Sequence, residues 1–199
     1  MCPAKYAHQY VFGTPYETKP SALIVGKAIH RAAETYYVNL RETGEIIPVD
    51  QMIGVFESVM ESEVERTEVA ITYKEGENLE SIRDQGTVLL QLFHTEINRQ
   101  KIVAIEFPFT VKVPDIINGN GNLPIQMVGR FDLIESDSEK TYMVVELKTS
   151  AQRYSSLKLE YDLQATVYSY GMAKLKVATS QNSTLIRYDV LVKTKKTRL

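Results

Sequence analysis

The chain has 199 residues, 44% hydrophobic and 24% charged, with a formal net charge of -2. That length suits one domain able to bury a core without cross-links, and the near-neutral balance excludes a strongly basic coat for a polyanion while leaving room for local patches. Cys2 is the sole cysteine, so no internal disulfide framework exists, as in proteins of reducing compartments. No apolar run approaches membrane-spanning length and the N-terminal residues are too polar for a signal peptide, so a cytoplasmic location is expected.

In chain order, apolar positions at helical spacing (Ile29, Ala33, Tyr36, Tyr37, Leu40) predict a helix over 22–40 that Gly44 ends. Met52, Phe56, Val59 and Met60 predict a second helix from Asp50 to about Val69, and Leu79 to Ile97 carries a third. The character then changes. Residues 102–113 read as a strand, with Pro108 pointing to an edge or bulge. Residues 125–135 and 141–149 form two more strands, 158–175 a helix and 183–194 a last strand. The expectation is a mixed α/β fold: a mainly helical part over 1–100, then a β-β-β-α-β part over 101–199, in one domain. The central mixed sheet of about four strands is flanked by helices.

Charge sits where a core strand should be apolar. Glu146 and Lys148 interrupt "VVELKTS", and unpaired charge in a core is costly. Strand alternation puts Glu146 and Lys148 on one face and Val145 and Leu147 on the other. On the preceding strand it puts Arg130, Asp132 and Ile134 on one face, with Phe131 and Leu133 opposite. An even index sum across the hairpin gathers Asp132, Glu146 and Lys148 on one face; an odd one scatters them. The even register is expected. Two adjacent carboxylates repel unless a cation lies between them. Mg²⁺ takes oxygen ligands and polarises phosphoryl groups, and a neighbouring lysine can orient water or meet phosphate charge.

"GRFDLIE", "VVELKTS" and "YDLQATVYSYGM" together resemble the PD-(D/E)XK nuclease superfamily and, within it, the RecB-like exonuclease group, with its restriction-endonuclease-like core. The matching positions are Gly129 and Asp132, then Glu146, Lys148 and Thr149, then Gln164 and Tyr168. Gly26 and His30 in "VGKAIHRAAETYY" resemble the upstream G-x-x-x-H of that group. The resemblance implies Mg²⁺ or Mn²⁺ held by His30, Asp132, Glu146 and the backbone carbonyl of Leu147, with Glu106 a further candidate. It implies catalytic roles for Asp132, Glu146, Lys148, Gln164 and Tyr168. Glu34, one turn beyond His30, is a candidate to hold the other imidazole nitrogen. Arg130, Arg153 and Lys158 are candidate DNA-phosphate contacts.

The activity implied is metal-dependent DNA hydrolysis with 5′-phosphate and 3′-hydroxyl products, in recombination, repair or phage DNA processing. DNA ends are the implied substrate, with a helicase or recombination protein as partner. Some members of the group hold an iron–sulfur cluster through four cysteines; with Cys2 alone, this chain supplies too few thiolates for one. A non-catalytic DNA-binding module on the same fold and a restriction-type endonuclease stand as alternatives.

Overall fold

The computed structural model describes residues 3–97, 100–119, 121–137, 141–175 and 184–193. A short helix α1 (Pro3–Tyr6) runs into a π-helical turn (Ala7–Val11), followed by β1 (Thr18–Pro20), α2 (Ser21–Thr43), α3 (Val49–Glu65), β2 (Ala70–Thr72) and α4 (Leu79–Glu96). Then come β3 (Lys101–Pro114), β4 (Asn122–Ser136), β5 (Tyr142–Ser150), α5 (Ser156–Glu160), α6 (Leu163–Lys174) and β6 (Thr184–Val192). The helix expected over 158–175 is thus two helices: Asp162 caps the second, its carboxylate accepting from the Gln164 amide. Gly44 ends α2 in the left-handed conformation at φ 74°, which costs glycine little. Asn78 and Ser81 form a reciprocal capping box that starts α4.

The sheet order is β3-β4-β5-β6, antiparallel except for the parallel β5/β6 pair that α6 bridges. β3 lies at one edge of the sheet, the position where a strand tolerates a proline such as Pro108. One core cluster joins α2, α3 and α4 to Leu133, Val145, Leu147 and Leu191 of the sheet. The other packs Tyr168 and Met172 of α6 against Phe109, Val111, Phe131, Ile134 and Val144. The sheet is therefore a layer between the N-terminal helices and α6.

Leu133 opposes Val145 and Ile134 opposes Val144, so the β4/β5 index sum is the expected even one. The face assignment along β4 needs correction. Ile134 packs toward α6 and Leu133 toward α2, as alternation requires, but Phe131 returns to the α6 side. β3 makes the same change: Ala104 packs on the α6 side and Ile105 on the other, whereas Phe109 and Val111 face α6. Both reversals occur at one place. Glu106 adopts φ 46°, a left-handed value rare for a residue with a Cβ. The β3/β4 ladder passes from Ile105↔Leu133 to Phe107↔Phe131 and skips Glu106 and Asp132 without changing register.

Candidate metal centre and active-site cleft

The β4/β5 pairing stops at Leu133↔Val145. One step further, the amide of Leu147 donates to Asp132 Oδ2 at 3.0 Å. A side chain thus takes the place of a ladder carbonyl, and the two strands part at the motif residues. His30, on the sheet-facing side of α2, brings Nδ1 to 3.5 Å from Asp132 Oδ2. Glu106 reaches the same place from β3. One ligand atom from each of His30, Glu106 and Asp132 lies within 4.8 Å of the others. The Leu147 carbonyl also bears on His30, favouring its protonated form.

Burial and electrostatics set the charge state of this trio. Burial pushes the Asp132 carboxyl up to about 7, with the Glu146 and Glu106 charges acting in the same direction and the Leu147 amide and Lys148 opposing. Burial lowers the His30 pKa despite the opposing influence of Glu146 and Glu106. The imidazole is thus held neutral, the form that ligates metal. An imidazole nitrogen and two carboxylates suit a divalent cation of the Mg²⁺ or Mn²⁺ type. The raised Asp132 carboxyl marks negative charge that such an ion would relieve.

Glu146 lies beside this trio but does not share its 4.8 Å grouping. Its side chain, 4% exposed, is enclosed by donors. Oε1 accepts from Lys148 Nζ at 2.5 Å and from Gln164 Nε2 at 2.7 Å. Oε2 is 2.7 Å from the Tyr168 hydroxyl, which also lies 2.8 Å from the carbonyl of Arg130. That hydroxyl has one proton and donates to one of these acceptors at a time. Three donors on about four lone-pair positions leave Glu146 one position, on Oε2, for a metal. Gln164 and Tyr168, one helical turn apart on α6, thus act on the β5 carboxylate, and burial beside Glu146 raises the Tyr168 pKa.

The other sequence candidates separate. Arg130 reaches Glu106 at 3.2 Å and lines a cleft of about 410 Å³ that includes His30 and Glu106. Arg153 and Lys158 lie elsewhere, past the end of β5. Glu34 does not hold His30; it accepts from Arg31 at 2.6 Å, the cation one turn before it. Cys2 lies outside the described residues. The cleft wall formed by α3 escaped the sequence reading, although Ser58, Ser62 and Arg66 recur every four residues on one helical face. Glycine in the G-x-x-D stretch has a steric cause: a Cβ at Gly129 would come within 2.5 Å of the Phe109 ring, which lies across it from β3.

A family model described as the PD-(D/E)XK nuclease superfamily matches residues 1–198 of this chain. No curated protein matches it. The crystal structure of SSO0001 aligns with 94% of this chain and 69% of its own, at 12% identity and a TM-score of 0.31. Among the described residues, no helix is long and apolar enough to cross a membrane.

Proposed function

The chain belongs to the PD-(D/E)XK nuclease superfamily, and from that premise we propose that it is a Mg²⁺- or Mn²⁺-dependent deoxyribonuclease of the RecB-like kind. It degrades DNA from ends in recombination, repair or phage DNA processing. The observation that carries this reading is the convergence of His30, Glu106 and Asp132 beside the Glu146–Lys148 pair. His30, Glu106 and Asp132 would hold the ion, with the Leu147 carbonyl and Glu146 next to them. A bound divalent ion would polarise the phosphoryl oxygen and lower the pKa of a water molecule. Lys148, steadied by Glu146, orients the attacking water and meets charge on the phosphate. Gln164 and Tyr168 hold Glu146 in place for that task. Arg130 contacts a phosphate of the strand lying in the cleft.

The test is incubation with linear and circular DNA, single- and double-stranded, in Mg²⁺, Mn²⁺ or EDTA. Metal-dependent loss of linear DNA with circular DNA spared is expected. Cleavage of closed circles would overturn the end-dependent mode, and absence of metal-dependent cleavage of every substrate would overturn the nuclease reading.

A further inference from the structure

Arg153 and Tyr154 follow β5 and, with Leu92, Leu159, Tyr188 and Val190, line a second cleft of about 610 Å³ at the β6 side of the sheet. The rings of Tyr154 and Tyr188 lie 5.7 Å apart at 44°. The Lys158 ammonium sits 3.4 Å from the Tyr154 ring centroid, a cation–π contact. Both tyrosines are half-buried, so each ring is seated yet reachable. Among the described residues the lining holds Arg153 and no carboxylate, although Asp162 bears on the Tyr188 hydroxyl. Its walls are apolar and aromatic, with the Arg153 cation in the lining and Lys158 over the Tyr154 ring.

The sheet ties this cleft to the metal centre. In the parallel β5/β6 pair Tyr188 is the partner of Glu146 and Val190 the partner of Lys148. Paired residues in adjacent strands are about 4.8 Å apart and point to the same face. Tyr188 is thus one strand away from the carboxylate that Gln164 and Tyr168 hold. Glu146 and Asp162 both bear on its hydroxyl. A polynucleotide with one phosphate at Lys148 would lie next to the strand that carries Tyr188.

We propose that Tyr154 and Tyr188 form a base-stacking subsite for unpaired nucleotides flanking the cut, with Arg153 and Lys158 meeting their phosphates. The proposal rests on the nuclease reading for its substrate and adds the place where bases are held. Aromatic faces accept any base, and cations close by neutralise the backbone, which is the chemistry of sequence-tolerant single-strand binding. An incoming base takes over the Tyr154 face that Lys158 covers, and the flexible ammonium turns to the phosphate.

The test measures binding of a short oligothymidylate in EDTA by fluorescence anisotropy. Tyr154→Leu should weaken binding about five- to 150-fold, whereas Tyr154→Phe should stay close to the parent. On the same backbone carrying abasic sites, parent and Tyr154→Leu should bind alike. Independently of any variant, photocrosslinking of the parent to 5-iodouracil oligonucleotide should label the peptide holding Tyr154 or that holding Tyr188. Equal binding of thymidylate by parent and Tyr154→Leu, or crosslinks confined to other peptides, would overturn the subsite. So would a dimer of this chain that Tyr154→Leu dissociates with no change in oligonucleotide binding. Metal-dependent cleavage by the parent is scored separately: cleavage with no effect at Tyr154 removes only the subsite, and no binding or cleavage removes both readings.

Discussion

At the residue scale, Glu146 and Asp132 sit in different surroundings although the motif treats them alike. Glu146 is held by Lys148, Gln164 and Tyr168, whereas Asp132 carries burial and repulsion, opposed by the Leu147 amide and the Lys148 charge, with the His30 imidazole 3.5 Å away. Lys148→Ala should lower the cleavage rate by about 10²–10³-fold and weaken oligonucleotide binding in EDTA only by the loss of one phosphate contact; a variant that cleaves like the parent would remove the role given to Lys148. Tyr168→Phe deletes a buried hydroxyl facing two acceptors and should cost about 1–3 kcal/mol of stability, read as a lower melting temperature. The Asp132 shift sets a pH trend. Its folded carboxyl near 7 exceeds the ordinary 3.8, so between those values the folded state keeps a proton that the unfolded state has lost. Stability contributed by this group therefore falls as pH rises through that window. Metal-free protein should melt lower at about pH 8 than at about pH 5. Asp132→Asn should flatten the trend in part, because burial also raises Glu135. Added Mg²⁺ should restore stability at the higher pH through its preference for the ionised site.

At the element scale, two glycines on neighbouring helices predict opposite outcomes. A Cβ at Gly86 of α4 would overlap the ring of Phe56, a fully buried residue of α3. Gly86→Ala should destabilise by about 1–3 kcal/mol. Gly54 of α3 faces open space, so Gly54→Ala should stabilise by about 0.5–1 kcal/mol through helix propensity. Thermal melts of the two variants check both signs. Helices and strands were legible because their apolar spacing is regular: Ile24, Ala28, Tyr36 and Met52, Phe56, Met60 line buried stripes. The reversal at Glu106 and Asp132 was not legible. Alternation assumes an unbroken pleat, and nothing in the identity of a glutamate announces φ 46°. A backbone outlier of this kind is held by its surroundings, and it lies where the ligand atoms meet.

At the scale of the whole molecule, one cluster unites the N-terminal helices with β4, β5 and β6. The helical part is therefore expected to unfold with the sheet, as one cooperative unit. Melts followed by circular dichroism and by tyrosine fluorescence should coincide; the chain has twelve tyrosines and no tryptophan. Two separated transitions would mean that the helical part folds alone. The order of motifs was readable from the chain, but their assembly across α2, β3, β4, β5 and α6 was not, since Gly26–His30 and Gln164–Tyr168 approach the sheet from different layers. The strand reversal also bears on which length changes the fold can absorb. On the tip side of Glu106 and Asp132 Phe109, Val111 and Phe131 face α6, and on the root side successive residues alternate between α2 and α6. Shortening each strand by two residues near the tip keeps that phase. Deleting one residue from each strand between the reversal and the tip turns Phe109, Val111 and Met127 toward solvent. Insertions and deletions tolerated in this arm are accordingly those that change each strand by an even number of residues.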